Sequence, residues 1–128
     1  MSSHIPIALF HIFVVAPFFL YVAFVRGQLM PWIFSALLGL GIVIMVYHAY
    51  KTVIKWQAHS ISAWVNIIHV VAIAPLLIFI GASGYDTPRW AFEVLAMFGF
   101  GALGYHLYNL VLAVQDIHTE KKVTSKDD

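Results

Sequence analysis

Cysteine is absent from all 128 residues. That excludes disulfides, thiolate metal sites, thiol catalysis and the CxxCH attachment of a covalent c-type haem. Charge is scarce as well. Charged residues make up 10% of the chain and hydrophobic ones 62%, where soluble domains run near 25% and 45–50%. The formal net charge of +1 points to no nucleic-acid partner, and no basic aromatic patch is present. Glycine-rich phosphate loops, paired carboxylates and a nucleophile beside a base are all missing, so no hydrolase or transferase chemistry is legible and an enzymatic role is left open.

What the chain does have is long apolar runs. No Asp, Glu, Lys or Arg occurs from Ile5 to Val25, from Gly27 to Tyr50, from Trp56 to Tyr85 or from Val94 to Gln115. Each run matches or exceeds the roughly 20 residues a helix needs to cross the hydrocarbon of a bilayer. Their length and lack of alternation favour helices over strands. The sequence predicts an all-α integral membrane protein with spans near 4–25, 31–55, 60–83 and 89–116. Arg26-Gly27-Gln28 with Pro31, the polar stretch Lys55–Ser60, and the run from Gly81 to Pro88 read as the turns between them. One four-span domain over 1–117 is expected, followed by a polar, frayed tail over 118–128. The first run lacks the basic start and the small-residue cleavage site of a signal peptide, so it reads as a true span.

Basic residues give an orientation. With four spans, both termini share one side with the middle turn. That side carries Lys51, Lys55, Lys121, Lys122 and Lys126, against Arg26 and Arg89 on the other. The excess predicts both termini in the cytoplasm.

The chain also repeats itself. Displaced by 58 residues, positions 11–53 match positions 69–111 at 11 of 43 places, among them His11/His69, Ala16/Ala74, Pro17/Pro75, Trp32/Trp90, Gly41/Gly99, Tyr47/Tyr105, His48/His106 and Tyr50/Tyr108. Chance at this composition gives about three. Two tandem hairpins, about 4–56 and about 59–116, account for the excess. Each crosses twice, so both enter from the same side and are related by a pseudo-two-fold axis along the membrane normal. His11 and His48, and their copies His69 and His106, then lie roughly 10 Å in from the side bearing the termini, at 1.5 Å per residue.

Four histidines and four tyrosines at one depth are a candidate site, because ionisable side chains in a membrane are costly and face the interior. The favoured ligand is a non-covalent b-type haem, held by His48 and His106 or by His11 and His69. Gly41 and Gly99, two turns before His48 and His106, leave room for a flat macrocycle. Tyr47, Tyr50, Tyr105 and Tyr108 can line the pocket or bond a propionate. Two alternatives use the same layer. Four converging imidazoles can hold Zn²⁺ or copper, although no carboxylate lies at that depth. A ring of His and Tyr with water can relay protons. A third reading needs no cofactor at all: the layer is a hydrogen-bonded core of a structural or assembly protein.

Blander readings cover the remaining features. Pro17 and Pro75 kink their helices and free the carbonyls of Phe13 and Val71. Gly39, Gly41, Gly99, Gly101 and Gly104 also suit close helix packing. Trp32 and Trp90 read as interface anchors. Glu93 is placed to reach Arg89, and His4, His59 and His118 lie at span ends in solvent. The expected partners are the lipid bilayer and either a second copy or another membrane protein.

The segments His11–Leu20, Gly39–Lys51, His69–Ile80 and Gly104–Tyr108 resemble small multi-span membrane proteins of large DNA viruses. That resemblance implies a home in a viral or host internal membrane and transfers no functional residue. The histidine layer is similar in general terms to that of membrane b-type cytochromes. Those with two haems place ligands at two depths, where this chain has one.

Overall fold

The structure, a computed structural model, describes residues 4–124. Four long helices make up the described residues, with no strand among them. They are α1 (Ile5–Gln28), α2 (Pro31–Gln57), α3 (Ala63–Asp86) and α4 (Arg89–Thr124), each long and apolar enough to cross a membrane. The architecture is the all-α, four-span one expected from the apolar runs. Pro31 opens α2 at its first turn, where a missing N–H is harmless.

By Cα proximity the chain divides into two units, Met1–Tyr21 with Ala96–Asp128, and Val22–Leu95. The second unit contains the α2–α3 pair. Its helices touch backbone to backbone at Gly81: a β-carbon built there falls on the backbone of Leu38, 2.7 Å from its Cα and 2.7 Å from Phe34 O. Gly41 makes the next contact along the pair, with a built β-carbon 2.9 Å from Ile78 N and 3.1 Å from Ala74 O. Between them the fully buried Leu37, Leu77 and Ile80 fill the space. Tyr85 closes the far end, donating its hydroxyl to Leu29 O at 2.7 Å and setting its ring edge-on to Phe34. In the first unit Gly99 lies against the side chain of Leu20, 3.0 Å from a built β-carbon.

The repeat is written into local structure. Alpha-helical geometry gives way to one π-helical stretch at His11–Val15 and again at His69–Ile73, and each resumes at the Ala-Pro pair. In both, the N–H of the alanine (Ala16, Ala74) bonds the histidine carbonyl five residues back. The following proline has no N–H. Two carbonyls per copy, those of Ile12 and Phe13 and of Val70 and Val71, therefore lose their ordinary α-helical donors. The sequence foresaw one. Three-residue 3₁₀ turns at Arg26–Gln28 and Gly84–Asp86 end α1 and α3, opened by positive φ at Arg26 (50°) and Gly84 (56°).

Two details refine the expected boundaries. Gly81 and Ser83 belong to α3, because Gly81 is required by the α2 contact rather than by a turn. α4 continues eight residues past 116, so 118–124 is helical where a frayed tail was expected. Residues 125–128, including Lys126, and the side chains of His4, Lys121 and Lys122 lie outside the described residues. Arg89 and Glu93 do pair, at 2.6 Å on an exposed face, where such a pair contributes little. His59 and His118 are exposed, and so are Trp32 and Trp90.

α2 ends in a Schellman turn. His59 has φ of 51°, Ser60 N–H bonds Lys55 O at 2.9 Å and His59 N–H bonds Trp56 O at 3.0 Å. Glycine adopts this conformation without the β-carbon penalty. His59→Gly is expected to stabilise the protein by about 1 kcal/mol, seen as a higher melting temperature in detergent; an unchanged or lower one would count against the left-handed cap.

Candidate functional site

The four repeated histidines form two ring pairs, one in each unit. His48 of α2 stacks on His69 of α3, with ring centroids 4.1 Å apart and planes 14° apart. His11 of α1 stacks on His106 of α4 at the same 4.1 Å and 22°. Each stack joins the first helix of one repeat to the second helix of the other, so the pairing is His48 with His69 and His11 with His106. The sequence had paired the repeat equivalents, His48 with His106 and His11 with His69. All four rings are half-buried.

Hydrogen bonds at Nδ1 set the tautomers of His11, His48 and His69. His11 Nδ1 lies 2.8 Å from Ile7 O and His69 Nδ1 lies 2.6 Å from Val65 O, each one turn earlier in its own helix. A carbonyl only accepts, so Nδ1 carries the proton in both, and Nε2 is the lone-pair nitrogen of the neutral ring. His48 Nδ1 lies 3.0 Å from Asn66 Oδ1. The Asn66 amide is oriented by its own Nδ2 donation to Ser62 O at 3.4 Å, so its oxygen faces His48 and that ring too is protonated at Nδ1. Thr52 donates to His48 O at 2.7 Å on the same turn of α2. Among the described residues no buried side-chain nitrogen or oxygen lacks a hydrogen-bond partner.

Asn66 was passed over in the sequence, although it is an amide within a run free of charge, one turn before His69. It is 6% exposed, one of the two buried polar side chains among the described residues. Its repeat equivalent is Ala8, also buried.

The tyrosines and glycines take other positions than a shared pocket wall. Tyr47 and Tyr105 set their rings edge-on to the neighbouring His48 and His106 at 5.1 Å, and both are exposed on their outer side. Tyr50 and Tyr108 are each 64% exposed. Lys51 reaches back over the Tyr47 ring, its Nζ 5.9 Å from the centroid. The space at Gly41 and Gly99, which the sequence reserved for a macrocycle, is filled by Ile78 and Leu20. These two fillers are themselves 58 residues apart. Helix packing, the blander of the two readings of these glycines, is how they are used here. Among the described residues no three or more His, Asp or Glu side chains converge as a metal site. Each stack offers two imidazoles.

Each stack holds two flat rings face to face, with 4.1 Å between centroids. Two rings lying face to face cannot approach one metal from opposite sides. A single ring of a stack can ligate, with its partner alongside. Comparison with protein-family models, with curated proteins and with solved structures finds no match to this chain.

Proposed function

We propose that this chain is an integral membrane protein that binds a non-covalent b-type haem through Nε2 of a tautomer-fixed histidine, and that it serves haem handling or electron transfer. One observation carries the reading: the Nδ1 protons of His11, His69 and His48 are each held by an acceptor. Ligating histidines nearly always donate their second ring N–H to a carbonyl, carboxylate or water, which sets the ring and raises the basicity of the ligating nitrogen. The π-helical stretches that begin at His11 and His69 support it, because such bulges cluster at functional sites. Half-burial leaves the rings within reach of an apolar macrocycle arriving through lipid.

One histidine of a stack would hold the haem, its stacked partner would lie beside that ring, and the haem would supply redox or haem-transfer chemistry. Both termini, with Lys51 and Lys55, lie on the cytoplasmic side in this reading.

The test is a visible spectrum of the detergent-purified protein before and after addition of hemin. A Soret band is expected, reduced in His69→Ala and His48→Ala. A protein that stays colourless and leaves the hemin spectrum unchanged sinks the proposal.

A second reading is favoured by the stacks themselves and by the filled glycine contacts: the histidines are internal glue in a structural or assembly protein of a membrane. It expects the same substitutions to lower stability with no pigment lost.

A further inference from the structure

We infer that the outer face of α2, near the turn into α3, is a binding site for one anionic phospholipid, with an acyl chain in an apolar groove and the phosphate at Lys51. The inference is independent of the histidine stacks and of what they bind.

The groove is shallow, about 470 Å³, and is lined by Ile42, Val43, Val46, Tyr47 and Tyr50. All five side chains are exposed. Their spacing of three and four residues sets them in one strip along the helix axis. A strip of this form fits an extended hydrocarbon chain.

Depth places the strip in one leaflet. From Pro31 to Tyr50, α2 carries no charge and rises about 30 Å, the thickness of the hydrocarbon. Lys51 therefore falls where acyl chains give way to headgroups, and the exposed Trp56 lies in the same boundary region. Tyr47 and Tyr50 suit that boundary, with an apolar ring and a polar tip.

Charge selects the lipid. Lys51 stands at the end of the strip with its Nζ 5.9 Å from the centre of the Tyr47 ring, and Lys55 is one turn further along α2. Among the described residues neither lysine forms an ion pair. The acidic residues of the unit Val22–Leu95 are Asp86 and Glu93, at the other end of its helices, and Glu93 is paired with Arg89. An ammonium at the edge of the hydrocarbon is costly without a counter-charge. A lipid phosphate is the anion that the membrane itself supplies at that level. A zwitterionic headgroup cancels its phosphate with its own cation, so a net anionic one gains about fivefold per lysine.

The repeat offers an internal contrast. The groove residues correspond to Phe100, Gly101, Gly104, Tyr105 and Tyr108 of α4, and Lys51 and Lys55 correspond to Asn109 and Ala113. Both tyrosines recur, but the two valines and the two lysines do not. Of the two copies, it is α2 that joins an apolar strip to a cationic end.

The experiment is native mass spectrometry of the full chain in detergent, titrated with phosphatidylglycerol or with phosphatidylcholine of identical chains. The wild type is expected to bind its first phosphatidylglycerol at least about tenfold more tightly than phosphatidylcholine. Lys51→Gln combined with Lys55→Gln is expected to abolish that preference, and Arg89→Gln, at the other end of the span, to keep it. Val46→Trp fills the groove from an exposed position and leaves both lysines in place; it is expected to abolish the tight first binding. Equal affinity for the two lipids in the wild type means a lipid annulus only and overturns the inference. So does a preference that survives the double lysine change, or one that Arg89→Gln also removes. A Val46→Trp variant that binds as the wild type does eliminates the groove and the site with it. A wild type that flies as a dimer, and becomes monomeric in Val46→Trp, gives this face to a second copy instead.

Discussion

Alanine at Gly81 is expected to destabilise the protein by about 3 kcal/mol, at the upper end of what overpacking costs. The added methyl has nowhere to go. Its nearest neighbours are the backbone N and Cα of Leu38 and the carbonyl of Phe34. A side chain can rotate away from an intruding methyl, but a helix backbone must move as a body, parting Leu37 of α2 from Leu77 and Ile80 of α3. Gly41→Ala is expected to cost nearly as much, since Ile78 N and Ala74 O bound its space. Gly99→Ala should cost less than about 1 kcal/mol, because the methyl meets the far end of Leu20, which can rotate. The order Gly81, Gly41, Gly99 is the decisive result, measured by thermal or chemical denaturation in detergent. Equal costs at Gly41 and Gly99 would mean that the repeat, rather than the particular neighbour, governs these contacts.

His48→Ala is expected to lower stability by about 2 kcal/mol, and Asn66→Ala by a similar amount. A hydrogen bond between membrane helices is worth about 0.6 kcal/mol on average, so the bond by itself does not account for the loss. The larger part comes from what is left behind. Without His48, Asn66 keeps a buried Oδ1 with no ring proton to accept, and His69 loses the face it stacks on. The double variant removes both partners, so it should be less destabilised than the sum of the singles, with a coupling of about 1 kcal/mol. Additive costs would show that the 3.0 Å contact contributes nothing. Hemin binding in the same set of variants separates the two functional readings, because glue lost from a scaffold takes no pigment with it.

The number of helices, their membrane character and the tandem hairpins were all legible in the sequence, and for a physical reason. In a bilayer the length of an apolar run and the positions of its charges are dictated by hydrocarbon thickness, which does not depend on how helices meet. The recurrence of His11, His48, His69 and His106 at matching places was legible too, as was a disturbance at each proline. Which histidine faces which was not. The repeat marks equivalent positions, but equivalent residues need not touch, and here each stack joins non-equivalent ones. The roles of Gly41 and Gly99 were equally ambiguous, because an absent side chain makes room for a ligand or a helix alike, and only the neighbours Ile78 and Leu20 decide. Gly81 looked like the start of a turn until α2 was found against it. Asn66 was visible as an amide in an apolar run, yet its meaning rests on a ring contributed by another helix eighteen residues away. Covalent order and the membrane fixed the spans; the partners of each polar group depend on distances across helices, and those belong to the tertiary structure.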